Sequence, residues 1–214
     1  MNMPRLLVFA LVVLGSVPAA RAQSVSASTA VPKDKDAVVF NEIERGFFIG
    51  LQLGPSFFLN APQPDGKGPF SSGQQAMVEL GFDIGDHVAV SLFAIASMNR
   101  AGANYAGYSL ANTPVTGDFT SFVPGVSIRA KIVGFDDPQQ VRRTWIYVRA
   151  GGGYALFTPQ QLLPNPDILV FLGPGIEYYT RLRHFSIGVE VVGSVLLNSK
   201  AIGFAVTPNL RYAF

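Results

Sequence analysis

Beyond Arg45 the chain alternates, one residue apolar and the next polar or small, in eight separate stretches. A period of two marks a strand with two unlike faces. The first strand is predicted over Gly46 to Phe58, with Phe47, Ile49, Leu51, Leu53 and Phe57 on one face and Gly50, Gln52, Gly54 and Ser56 on the other. The second, Gln74 to Ile84, sets Ala76, Val78, Leu80, Phe82 and Ile84 against Gln75, Glu79, Gly81 and Asp83. Gly85-Asp86 turns tightly into a third, His87 to Met98. The fourth, Asp118 to Val133, opposes Phe122, Val126, Ile128, Ala130 and Ile132 to Ser121, Ser127, Arg129 and Lys131. The fifth, Thr144 to Phe157, opposes Ile146, Val148, Ala150, Tyr154 and Leu156 to Tyr147, Arg149 and glycines. The sixth runs from Asp167 to Thr180, the seventh from Phe185 to Leu197 and the eighth from Ile202 to Phe214, each with the same two-faced pattern.

Each stretch is long enough to cross a bilayer as a tilted strand, which takes about 9–11 residues. One face carries almost no charge, whereas the outer face of a soluble sandwich is polar. The other face is rich in small residues, as a narrow interior needs. The fold class predicted is all-β: an eight-stranded antiparallel transmembrane β-barrel over residues 45–214. The connections fall into two sets. Gly85-Asp86, 134–143 and 182–184 form one, and the mostly longer 59–73, 99–117, 158–166 and 198–201 form the other. In outer-membrane barrels short turns face the periplasm and long loops face outward. The 134–143 connection is long for its side, and 198–201 is short for the other.

The region before the barrel reads differently. Arg5, the apolar run Leu6 to Leu14, Pro18 and Ala20-Arg21-Ala22 have the layout of a cleaved secretory signal over 1–22. Residues 23–44, with Lys33-Asp34-Lys35-Asp36, read as a flexible periplasmic tail. Composition then changes the picture in three ways. Removing 1–22 takes away Arg5 and Arg21 and no acid, so the 16 basic and 14 acidic residues of the full chain become balanced. No electrostatic case for nucleic acid remains. The absence of cysteine excludes disulfides, a lipidated cysteine and Cys-rich zinc sites. A mean hydropathy of +0.31 with no later stretch resembling a membrane helix fits a barrel, in which lipid meets every second residue.

Nine charged residues share the small-residue face: Glu79, Asp83, Glu177 and Glu190, with Arg129, Lys131, Arg149, Arg181 and Arg211. All nine are expected inside, as a paired network filling the lumen, because charge in a narrow interior must be paired and hydrogen-bonded. A small outer-leaflet enzyme would need a base near the outer rim, yet His87 and His184 both fall at turns predicted on the periplasmic side. No catalytic residue, metal ligand set or cofactor is assigned. Gly151-Gly152-Gly153 lies in mid-strand without the Lys-Ser/Thr of a phosphate loop, and reads as a place of curvature or close packing. Aromatic residues gather at strand ends, as an interfacial girdle would. Trp145 falls on the inward parity near the periplasmic mouth. In the loop 99–117, Asn104, Tyr105 and Tyr108 are candidate contacts for a partner, because Tyr and Asn adapt well in recognition loops.

The terminal run Leu210-Arg211-Tyr212-Ala213-Phe214 resembles the C-terminal signal of outer-membrane barrels, an alternating strand ending in an aromatic. That resemblance implies Leu210, Tyr212 and Phe214 as the residues that the barrel assembly machinery reads. The layout of 45–214 is similar to the small OmpA/OmpX-type barrels. Gly46-Phe47-Phe48-Ile49-Gly50, Leu80-Gly81-Phe82-Asp83-Ile84-Gly85 and Gly173-Pro174-Gly175-Ile176-Glu177-Tyr178 resemble the myxobacterial adventurous gliding motility barrel family CglE. That likeness implies a part in a gliding apparatus and carries over no functional residue. The function expected is a non-enzymatic structural or interaction component of the cell envelope, anchored in outer-membrane lipid and contacting other envelope proteins through loops and tail. A narrow pore or small-ligand-binding barrel is the alternative, and an outer-leaflet lipid-modifying enzyme a third reading.

Overall fold

The computed structural model describes residues 43–60, 71–101, 108–110, 113–115, 118–159 and 166–214. The export segment expected over 1–22, the tail up to residue 42, and Asn104 and Tyr105 lie outside the described residues.

Among the described residues there are ten strands: β1 (Phe47–Phe58), β2 (Ser71–Ile84), β3 (Val88–Ala101), β4 (Tyr108–Leu110), β5 (Thr113–Val115), β6 (Phe119–Asp136), β7 (Arg142–Thr158), β8 (Asp167–Tyr179), β9 (Phe185–Leu196) and β10 (Ile202–Ala213). Eight of them close a barrel in the order β1-β10-β9-β8-β7-β6-β3-β2, every neighbour antiparallel. The first barrel strand pairs with the last, Leu51 opposite Leu210, so no edge is left open. β4 and β5 pair only with each other, a short hairpin inside the connection expected to be a plain loop. Tyr108 is the first residue of that hairpin.

The eight barrel strands fall within three residues of the expected ends. The largest difference is at the β6–β7 turn. The register slips by one residue between Lys131 and Val133, leaving Ile132 as a bulge, and pairing then continues to Asp136 opposite Arg142. The connection expected over 134–143 therefore shrinks to a turn at 137–141. A second difference concerns Arg181. β8 ends at Tyr179, so Arg181 lies in the following turn, where parity no longer applies, and its side chain is exposed rather than in the lumen.

Outward positions form an apolar belt around the whole barrel: Phe47, Leu80, Leu92, Val126, Leu172, Val191 and Leu210 are among those exposed. Monomeric soluble proteins rarely show contiguous apolar patches above a few hundred Å². Eight strands of outward Val, Leu, Ile and Phe make a surface suited to hydrocarbon, and closure gives every barrel strand a hydrogen-bonded neighbour on each side. Aromatic pairs mark the belt's two rims. Phe47–Phe214, Tyr212–Phe214 and Phe185–Tyr212 meet at 5.0–5.4 Å at the end carrying the hairpin turns. Phe57 stacks on Phe204 at 4.8 Å at the end carrying the longer loops.

Candidate functional site

Inward positions of the eight strands converge on one place, the lumen. The alternation that sends Leu80 to lipid sends Glu79 inward, and the same step on β6, β7, β8, β9 and β10 brings Arg129, Arg149, Glu177, Glu190 and Arg211 to face it. With Asp83 and Lys131 these are eight of the nine residues expected there, and all eight are buried.

All but Lys131 are joined by ion pairs into one network in the half of the lumen nearest the hairpin turns. Arg129 donates through Nη2 to Glu79 Oε1 at 3.1 Å and through Nη1 to Glu177 Oε1 at 3.4 Å. Arg149 Nη2 lies 2.9 Å from Glu79 Oε2, and its Nη1 lies 3.6 Å from Glu190 Oε1. Arg211 pairs with Asp83 and approaches Glu177 at 3.8 Å. Hydroxyl groups add to three of the carboxylates: Ser186 donates to Glu177 Oε1 at 2.7 Å, Ser91 to Glu79 at 3.2 Å and Tyr147 to Glu190 at 2.9 Å. Lys131 donates to the Tyr179 hydroxyl. Each cation also lies against a ring, Arg211 over Phe48 at 3.5 Å and Arg129 over Tyr147 at 4.5 Å. The four acids and four bases of this group balance in formal charge.

The other half of the lumen is filled differently. Phe58, Met77, Phe93, Ile95, Phe119, Val123, Phe157, Leu169, Phe171 and Leu196 are buried in one apolar cluster below the long loops. Phe93 meets Phe171 edge-on at 5.4 Å, and Phe119 bridges Phe58 at 5.7 Å and Phe157 at 5.8 Å. The small polar residues expected on this face are present, with Ser56, Ser71, Ser97 and Asn99 buried, and the aromatic plug beside them was not expected. The glycine run belongs to it. A Cβ on Gly151 would come within 2.6 Å of Phe171 Cζ, so the ring lies where only glycine leaves room. Arg149 joins the two halves: carboxylates and Ser127 engage its guanidinium, and the Phe93 and Phe171 rings lie 6.0 and 5.5 Å from it. A cavity of about 50 Å³ lies where the halves meet, lined by Gln52, Met77, Ile95, Val123, Phe171 and Glu190 among others. It has space for a few water molecules.

The remaining candidates have structural partners. His184 Nδ1 lies 2.8 Å from the Ala213 carbonyl, and His87 meets the Trp145 ring edge-on. Trp145 is buried at the turn-end mouth, where its Nε1 donates to the Arg142 carbonyl at 3.2 Å. Neither histidine is at the loop end, where an outer-leaflet enzyme would place its base. Among the described residues no three His, Cys, Asp or Glu side chains group as a metal site. At the turns, the Val141 N–H donates to Asp137 at 3.0 Å, and the Gln139 N–H and Arg143 add two more bonds. These donors, the Val141 amide first, hold the Asp137 carboxyl below the usual range.

With this geometry in view, the chain can be set beside known proteins. No protein-family model matches it, and no curated protein does. Solved structures do. Neisserial surface protein A superposes with a TM-score of 0.58 at 13% identity, covering 81% of this chain and 100% of that one. This likeness shows the fold. OprG, an outer membrane protein from Pseudomonas aeruginosa, follows at a TM-score of 0.48 and 12% identity, covering 81% of this chain and 99% of that one. Ail, the attachment invasion locus protein of Yersinia pestis, follows at 0.45 and 14%, covering 80% and 100%.

Proposed function

We propose that this chain is an outer-membrane barrel with a closed lumen, an anchor whose working surfaces are its two ends. One observation carries this reading: among the described residues the interior is filled by paired charges in one half and an aromatic-rich apolar cluster in the other, with Arg149 fully buried where they meet. A conducting pore needs a continuous water path, and an eight-stranded interior is just wide enough for side chains to fill. The apolar belt holds the barrel in lipid. The connections at the loop end and the chain before β1 then remain for contact with other envelope proteins. Leu210, Tyr212 and Phe214, on the outward face of β10, are offered as the strand that the barrel assembly machinery reads. A cleaved export signal over 1–22 would bring the chain to that machinery. A role in a gliding apparatus rests on the three short motifs alone.

Conductance in a planar bilayer tests the reading. The full-length protein is expected to insert without raising the current above the lipid baseline, while cross-linking from the loop end captures an envelope protein. Stepwise ion conductance from the wild type would replace the anchor with the narrow-pore reading.

A further inference from the structure

Belt position and charge disagree at one residue. Met98 and Arg100 are exposed while Asn99 between them is buried, so Arg100 points outward, toward lipid. A guanidinium in hydrocarbon is costly, by about 2–4 kcal/mol at the midplane of a barrel, falling to near zero at the interface. Arg100 lies one residue from the loop-end limit of β3, which places it at that interface. Its outward neighbours are polar. Ser72, its register partner on β2, is exposed, as are Gln74 on β2 and Thr120 on β6, the partners of Met98. Further toward the midplane the outward residues Val78, Leu92 and Phe122 are apolar.

Its pairing also sets it apart. At the turn end, Arg45, Arg142, Arg143 and Arg183 meet Asp86, Asp136, Asp137 and Glu44. Arg100 faces outward from a strand and has no acid within ion-pair distance among the described residues, Asp118 at the start of β6 included. Asp118 has an interaction of its own.

We propose that Arg100, with the Ser72 hydroxyl and the Gln74 amide beside it, binds the phosphate of an outer-leaflet lipid headgroup. The proposal rests on the outer-membrane reading above. A planar guanidinium grips phosphate through two parallel N–H···O bonds, and flanking hydroxyl and amide donors suit the remaining oxygens. The occupant is a lipid rather than a soluble phosphate because the site opens sideways, onto the belt, where an attached acyl chain would lie along Leu92 and Met98.

The test uses the full-length protein in phosphatidylcholine vesicles, with or without a minor fraction of diphosphorylated lipid A. Heat-induced unfolding is read by gel mobility, and lipid retained after detergent extraction by native mass spectrometry. Lipid A is expected to raise the unfolding temperature of the wild type. Arg100→Gln should remove most of that rise and weaken lipid retention about tenfold, the scale of one charge-assisted contact. Arg100→Lys should restore part of it. Lys200→Gln removes another exposed loop-end cation and should keep the full rise. Equal losses in both Gln variants would mean general electrostatics and overturn the site. So would a rise produced by inorganic phosphate alone in phosphatidylcholine vesicles, or no rise at all in the wild type. A wild type that does not insert, or shows no heat-dependent mobility, would instead overturn the membrane reading beneath it.

Discussion

The half of the lumen near the hairpin turns and the half near the long loops fill one tube by opposite means. Near the turns, Glu79, Arg129, Arg149, Glu177, Glu190, Asp83 and Arg211 pair by charge in a web in which several members have more than one partner. Near the loops, Phe58, Phe93, Phe119, Phe157 and Phe171 satisfy only shape. The difference concerns tolerance. Buried ions contribute little net stability when complete, because desolvation offsets their attraction, yet removing one partner strands a charge. Aromatic packing is lost in proportion to the atoms removed, and a ring of similar volume can replace another at modest cost. The charged half should therefore be brittle and specific, and the aromatic half graded.

The largest expected effect breaks the charged half. Glu177→Ala removes the acid shared by Arg129 at 3.4 Å, Arg211 at 3.8 Å and Ser186 at 2.7 Å. Two guanidinium groups then lose part of their counter-charge in a dry interior. Unfolding in urea from phospholipid bilayers should show a loss of about 3–5 kcal/mol. A loss near zero would mean that water enters this half freely and that the network is a hydrated surface.

Next comes the aromatic half, where the effect should scale with volume. Phe171→Ala should cost about 3 kcal/mol, and Phe171→Leu less than about 1.5 kcal/mol. Phe171 also covers Arg149 at 5.5 Å and lines the remaining cavity. Its removal should therefore open that cavity toward the loop-end mouth in the alanine variant alone, read as faster hydrogen exchange in the strands around it, while the charged half keeps the current at the lipid baseline. Equal costs for alanine and leucine would show that the plug is not graded, and the contrast between the halves would fail.

The same contrast explains how much of this was legible in the residues. The charged half could be read because Glu79 alternates with Val78 and Leu80, and Arg129 with Ile128 and Ala130, so polarity itself reports the face. The plug could not be read in that way. Leu169-Val170-Phe171-Leu172 is apolar at every position, and in Tyr154-Ala155-Leu156-Phe157 both faces are apolar too. Periodicity carries no signal where lipid outside and a ring inside ask for the same chemistry. Counting parity from Arg149 along β7 would have placed Phe157 inside, and counting from Glu177 would have placed Phe171 there. Arg181 failed for the opposite reason: its parity was carried two residues past Tyr179, where the strand ends. The Ile132 bulge was hidden because an extra outward residue beside Val133 leaves both apolar in lipid.

The smallest expected effect lies outside the lumen, at the turn that this bulge makes possible, and it isolates a charge that water can reach from the charges that it cannot. Asp137 accepts from the Val141 and Gln139 amides and pairs with Arg143, and these contacts lower its carboxyl pKa in the folded chain. A carboxyl lowered on folding stabilises the fold above its unfolded pKa, near 3.9, and that contribution is lost as pH falls through the folded value. Lowering the pH from neutral to about 3 should therefore reduce the protection of the Val141 and Gln139 amides, measured against their intrinsic exchange rates at each pH, while the lumen strands stay protected. Asp137→Asn, which cannot ionise, should show less protection at neutral pH and no further loss of it in acid. If the lumen strands lost protection in the same pH range, the buried carboxylates would be titrating together with the turn, and the half held by ion pairs would be open to water.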